Sequence, residues 1–265
     1  MGSATRQATA ASQTLLKGLG AKVSVATAEQ LFAAGRALAK SAQLQATLAD
    51  PAIAPAEKSK LITGVFGKKL GADASKLLAG IAAQRWSSQQ DLLAGIEDVA
   101  IRAAATAGGA SASIEGEIFT FSTAVSSDAD LELALGSKLG DPAAKAALAA
   151  KLLGKKASPS TVVIVTSLVQ APRGRRIGAL LAHAAAVVAD QSGASVANVT
   201  SAQELAPATV KTLSTTLAKQ YGRQVYINAQ VDESLIGGVR VQVGADVIDG
   251  SISARLAQLK LELVG

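Results

Sequence analysis

Apolar residues in the first part of the chain recur at three- and four-residue steps, the period of a helix with one buried face. Leu15, Leu16 and Leu19 form one such stripe. Helix start signals are legible. Thr27 with Gln30, Ser87 with Gln90 and Ser201 with Glu204 each have capping-box spacing, in which a hydroxyl accepts from an amide three residues on and the second side chain reaches back. Asp141-Pro142 fits an N-cap followed by the proline favoured at the first helical position. Gly67 and Gly154 stand where helices should stop, each followed by two lysines suited to a helix C-terminal end. Residues 1–106 therefore read as about six short helices.

The last seventy or so residues change period. "SVANVT" reads as a short strand. The helix expected after Ser201 carries Leu205, Val210, Leu213, Leu217 and Tyr221 at helical steps. In "VYINAQV" the residues Val225, Ile227, Ala229 and Val231 share a face, and in "VRVQV" so do Val239, Val241 and Val243. That period of two marks half-buried strands. Asp249-Gly250 should turn the chain into a final helix with Ile252, Leu256, Leu259 and Leu263 on one side.

Between these parts lies a repeat. Residues 31–69 align without a gap on 118–156, at an offset of 87, with 12 of 39 columns identical. The identities include Phe32/Phe119, Leu48/Leu135, Pro55/Pro142, Lys58/Lys145 and the Gly67-Lys68-Lys69 run on Gly154-Lys155-Lys156. At an offset of 88 the pattern continues, with Arg85 on Arg173, Leu92-Leu93 on Leu180-Leu181 and Val99 on Val187. Biased composition yields chance alanine matches, but not Phe, Pro and Gly-Lys-Lys together; the pattern indicates a duplicated helical unit. It also decides how to read "TVVIVTSLV" (161–169). β-Branched content suggests a buried strand, yet it falls opposite the first copy's stretch around "KLLAGIAAQ" (76–84), which reads as helical, so a helix is expected. The chain is thus expected to be α+β: an all-α six-helix bundle at 1–106, a related helical bundle at 107–193, and a small α/β domain at 194–265.

Composition narrows the chemistry. Apolar residues make up 49% of the 265 and aromatics 3%, and there is no cysteine, which removes disulfides, thiol nucleophiles and thiolate metal sites. The single histidine, His183, lies in "LLAHAAAVVA" and reads as a packing or helix-surface residue. The net charge of +6 is concentrated in residues 1–106, where 12 Lys/Arg face 7 Asp/Glu. A basic surface there suits nucleic acid, anionic lipid or an acidic protein. Nucleic acid fits worst, because the lysines are scattered and base-stacking aromatics are few. No run reaches the roughly 18–20 apolar residues of a membrane span. The first 28 residues lack acids and are rich in Ala, Ser and Thr, as in an organelle transit peptide, but they hold only three basic residues and the leucine stripe.

The stretch "VDESLIGGVRVQVGADVIDGS" (231–251) invites a catalytic reading. Gly237-Gly238 opens a strand and lacks the Lys and Ser/Thr of a phosphate-binding loop, and "GVFGKK" (64–69) has the wrong spacing. Strand glycines mark a bulge or close backbone approach. Asp232, Asp246 and Asp249 border turns, where Asp bonds its own backbone, and have no His or Cys beside them for a metal site or triad.

This stretch, with "A-x-V-x-S-A-x-x-L" (197–205), closely resembles the C-terminal motif of the delta subunit of F-type ATP synthases, the oligomycin-sensitivity-conferring subunit of mitochondria. "LADPAIAPAEKSKLI" (48–62) and Arg85 are similar to landmarks of the family's first third, so the resemblance is placed on about 25–105 and 194–263. It implies a non-catalytic peripheral-stalk (stator) protein without cofactor or metal. Its N-terminal bundle would grip the N-terminal helices of alpha subunits, and its C-terminal domain would hold the b subunit. Membrane association would be indirect, at the cytoplasmic face of a bacterial plasma membrane, or at an organelle inner or thylakoid membrane if 1–28 is a transit peptide. The family's groove between helices 1 and 5 maps here to Leu15, Leu16 and Leu19 with Leu77, Leu78 and Ile81, which read equally as core. Asp232, Gly237, Gly238, Asp249, Gly250 and Ser251 map as the structural motif. Two departures stand out. The family's opening Tyr-Ala-x-Ala-Leu pattern is faint in "ATRQATAASQTLL", and the chain is longer than ordinary members by about one repeat. The first copy matches the family's pattern better than the second. The alternative reading is a basic helical adaptor binding nucleic acid or anionic membrane.

Overall fold

The structure, a computed structural model, describes residues 2–109, 113–137, 139–244 and 246–252. Twelve α-helices and four strands occur among them. The helices are α1 (Ser3–Leu19), α2 (Val25–Ala39), α3 (Ala42–Ala49), α4 (Pro55–Phe66), α5 (Ala72–Ala82), α6 (Gln89–Gly108), α7 (Ile114–Ser126), α8 (Ala129–Gly136), α9 (Pro142–Leu153), α10 (Pro159–Gln170) and α11 (Ile177–Gln191). Strand β1 (Ser195–Ser201), helix α12 (Pro207–Tyr221) and strands β2 (Val225–Val231), β3 (Val239–Val243) and β4 (Asp246–Asp249) follow. The chain divides into two compact units, one up to Val188 and one from Ala189. No break between units falls at 106/107, because α6 packs along both α2 and α10 and ties the two sets of helices together.

The duplication shows in the helix bounds. α3 and α8, and likewise α4 and α9, begin and end at a shift of 87. Burial repeats too: Leu48 and Leu135 are both fully buried, as are the paired Ile62 and Ala149. "TVVIVTSLV" is the helix α10, started by Ser158, whose side chain accepts from Thr161 N at 3.3 Å, with Pro159 in the first turn. Its β-branched residues are tolerated because α2, α6, α7 and α9 all pack on it, so tertiary burial outweighs their small helix penalty.

Three of the expected caps are displaced. α2 is capped by Ser24, with Thr27 as the reciprocal partner, while Gln30 accepts from Gly71 N at 2.7 Å. α6 is capped by Ser88, which accepts from Asp91 N at 3.1 Å. Ser87 is instead turned towards α1, its amide donating to Thr5 Oγ1 and its Oγ accepting from Thr5 N. Ser201 closes β1, donating to the Gln203 carbonyl at 2.6 Å, and α12 starts six residues later at Pro207. Leu205 therefore precedes the helix, though it still packs on the core. Asp141 caps α9 through Ala144 N at 2.8 Å, and Gly154 ends it with φ 58°.

In the second unit the sheet order is β2-β1-β3-β4, with β1 parallel to β2 and antiparallel to β3, and β3 antiparallel to β4. The parallel pair requires a crossover, which α12 supplies. Ala197, Val199, Val225, Val241 and Val243 pack with Leu217 of α12 as the core. β4 escaped the sequence pattern, since its four residues are all exposed and bounded by aspartates that read as turn formers. The expected final helix beyond Ile252 lies outside the described residues.

Candidate docking surfaces

α1 lies against α5 and α6. Leu16, Leu19, Leu77, Leu78 and Ile81 are buried, so these five hold the helices of the first copy together. Burying each contributes about 1.5–3 kcal/mol. Leu15 differs: it is 37% exposed and drapes over Gly80, where an added Cβ would sit 2.6 Å from Leu15 Cδ1. Around it Thr14, Lys17, Gly18 and Lys76 are exposed, and Ala79 and Ala83 are half-buried. The sixth site residue, then, is the one that reaches solvent. Thr5, Ala8 and Ser12 of α1 are also buried, so the segment weighed as a transit peptide contributes to the packed unit.

A second cluster was not anticipated. Glu97 on α6 is 9% exposed and accepts from Arg175 Nη1 and Nη2, both at 2.8 Å, and from Arg173 Nη2 at 2.6 Å. Burial pushes its carboxyl up, but the hydrogen bonds and charges of Arg175 and Arg173 outweigh that and hold it below the usual carboxylate range. Arg36 of α2 borders a cavity of about 30 Å³ that Glu97 and Arg173 also line; its Nη1 is buried and has no partner among the described residues, and burial lowers its guanidinium pKa. The sequence carried one signal. Glu97 stands in "LLAGIEDVAI" with no basic residue three or four positions away, so its partner had to come from elsewhere in the fold.

Two further charges are buried at repeated positions, Lys58 and Lys145. Lys145 Nζ donates to the Ser137 carbonyl at the end of α8. Burial pushes Lys58 down, opposed by the charge of Asp50, which stands where the second copy has Ser137. His183 lies exposed on α11.

The glycine-rich stretch is a backbone crossing. Gly237 and Gly238 have φ of 67° and 77°, a region that L side chains rarely adopt. A Cβ on Gly238 would lie 2.4 Å from the Gly250 carbonyl oxygen and 2.8 Å from Ser251 Cα. Gly250 N donates to the Val239 carbonyl at 2.9 Å, and Ile252 N to the Gly237 carbonyl at 3.3 Å. Asp249 accepts from Ser251 N and from Arg240, and Asp232 accepts from Ser234 N and Oγ. Hydrogen bonds from Ser251 and from Ser234 respectively lower the two carboxyls. Both acids are thus engaged with neighbouring turns. Among the described residues no three His, Cys, Asp or Glu side chains cluster as a metal site would, and no helix is long and apolar enough to cross a membrane.

Packed helix pairs with partly exposed apolar and basic faces, followed by a small sheet unit, define a scaffold that works by contact. The chain belongs to the ATP synthase delta (OSCP) subunit family, whose model matches residues 99–263. The family is that of the non-catalytic peripheral-stalk subunit of F-type ATP synthases, which is peripheral to the membrane. The chain is similar over its whole length, and the whole of the relative's, to ATP synthase subunit delta of Leifsonia xyli subsp. xyli, at 50% identity. It is also 38% identical to ATP synthase subunit delta of Streptomyces avermitilis, over 96% of this chain and 95% of that one. A third, from Kineococcus radiotolerans, is 37% identical over 90% and 88%. The long form is therefore shared by these relatives. The family match takes in the second set of helices and leaves residues 1–98 outside it, which corrects the expectation that the first copy fits the family's pattern better than the second.

Proposed function

We propose that the chain joins the catalytic head of the ATP synthase to its stalk through two separate faces, so that the head resists rotor torque. The head-side face is α1 with α5, where an N-terminal helix of an alpha subunit lies over Leu15 and the small residues beside it. The stalk-side face belongs to the second unit, where Val231, Ile236, Val247, Ile248 and Ile252 leave apolar surface exposed; this is where the b subunit docks. Residues 1–106 and 107–193 act as two related bundles in this reading, supported by the matching bounds of α3 with α8 and of α4 with α9. In this reading the chain sits at the cytoplasmic face of the membrane and is held there indirectly, through the complex.

The observation that carries the reading is the exposure of Leu15 on a helix pair that is otherwise closed. The test is a pull-down of alpha and b subunits at low and high salt. Apolar helix-in-groove contacts persist in high salt, whereas a basic adaptor held to nucleic acid or anionic lipid by charge loses affinity steeply. Loss of both partners at high salt would favour the adaptor.

A further inference from the structure

The helix bounds repeat once more than the sequence does. Shifted by 87, α1 falls on residues 90–106, inside α6. Shifted by 88, the first residue of α6 falls on Ile177, the first residue of α11. The equivalents of the buried Thr5, Ala8, Ser12 and Leu16 of α1, namely Leu92, Gly95, Val99 and Ala103, are buried in α6, which is buried on further faces as well; Thr106, the equivalent of Leu19, is half-buried. α6 is thus the last helix of the first copy and the first helix of the second. The family match begins at residue 99, within this shared helix.

In the first copy the opening helix α1 packs on α5, and in the second its equivalent α6 packs on α10. What differs is the covering. α2 lies along both α6 and α10. Its Phe32, Gly35 and Arg36 line one cavity with Ile96 and Ser167, and its Ala33 and Arg36 line a cleft with Val163 and Gln170. Leu93, Ile96, Val163 and Ser167 are accordingly buried. At the repeat-equivalent positions, shifted by 87, stand Arg6, Thr9, Lys76 and Gly80, none of them buried.

We propose that α2 is the resident occupant of the second copy's helix-accepting groove, so that the chain holds one partner helix, on α1 and α5, rather than two. The inference rests on the docking reading above and settles which copy performs it. α2 is tethered at high effective concentration, and it is also part of the first copy's core through the fully buried Leu31 and Leu38. An incoming helix would have to break that core to displace it. The seated α2 also shows what such a groove accepts, a helix with small residues at the crossing such as Gly35. On α1 and α5, where Gly18 leaves room, Leu15 covers Gly80 and Lys17 and Lys76 are exposed, the fitting partner is an amphipathic helix with a small apolar face and acidic flanks.

The test is titration calorimetry of the full chain with a peptide of the alpha subunit's N-terminal helix. One equivalent is expected, and two would overturn the inference. The absence of cysteine permits a second measurement, with Ala33→Cys and Gln170→Cys joined by a short bismaleimide. The cross-link should form, and the locked chain should bind the same single equivalent with unchanged affinity. Failure to cross-link, or loss of binding on locking, would show that α2 does not keep the groove. Absence of peptide binding to any form would count against the docking reading alone, because the cross-link still reports where α2 sits.

Discussion

Arg175 holds Glu97 with two parallel hydrogen bonds of 2.8 Å, joining the shared helix α6 to the turn that leads into α11. Removing the carboxylate charge leaves two arginines facing each other without a counter-ion. Glu97→Gln should therefore cost roughly 1–3 kcal/mol, the lower end being favoured because the arginine side chains are a quarter and a third exposed and partly screened. The pH dependence has a definite sign. The folded carboxyl sits below its unfolded value, so its contribution is present above the unfolded pKa and is lost as pH falls through the folded one. Denaturant curves at neutral and acid pH should show the wild-type advantage over Glu97→Gln shrinking on acidification. An advantage that grows instead would mean Glu97 is not held as the anion.

The helix 1–helix 5 reading makes Leu78→Asp an obvious test of docking, but Leu78 is fully buried. An unpaired carboxylate there should unfold the helical unit, with far-UV helicity and peptide binding falling together. Leu15→Asp reaches solvent, so it should keep its helicity and melting curve while losing at least about tenfold in affinity for the alpha peptide, a loss of roughly 1.4 kcal/mol. Equal behaviour of the two variants would remove the distinction between core and contact.

Gly238→Val meets the backbone of Gly250 and Ser251 and demands a left-handed φ from a β-branched residue. Overpacking costs about 1–3 kcal/mol and the φ strain adds about 1–3 more. The second unit should melt first, with b binding lost in step and the helices up to Val188 retained in circular dichroism. A variant that melts like wild type but loses b binding would make the glycines a binding site.

Trp86 is the single tryptophan and packs on Gly95, where a Cβ would come within 2.0 Å of its ring. Its Nε1 donates to the Ile81 carbonyl at 2.9 Å. Gly95→Ala should displace the ring, red-shifting the emission and lowering stability by about 1–3 kcal/mol. Unchanged emission would mean that the contact relaxes without cost.

Much of this fold is written in local signals. Asp141-Pro142 and Gly154 mark α9 at both ends, and the valines of β3 alternate as a half-buried strand must. The repeat supplied what propensity could not, the helical state of residues 161–169. The displaced caps failed for a physical reason: several hydroxyls compete near each start, and a tertiary partner chooses among them, as Thr5 does with Ser87. The docking residues were half legible. A leucine stripe shows that a helix has an apolar face, but which of two adjacent leucines points outward depends on the crossing angle of α1 and α5. The grip on Glu97 was invisible because its partners lie 76 and 78 residues away.

The shared helix has a mechanical consequence. Two bundles strung on a linker would flex at the joint, and a pull on one would be spent in bending before it reached the other. Here a single continuous α6 is a wall common to both rooms, so strain passes from one to the next along a hydrogen-bonded rod with no hinge. The second copy is joined to the first without slack. Cutting the chain within that wall would open both rooms at once, which leaves neither half of the duplication dispensable.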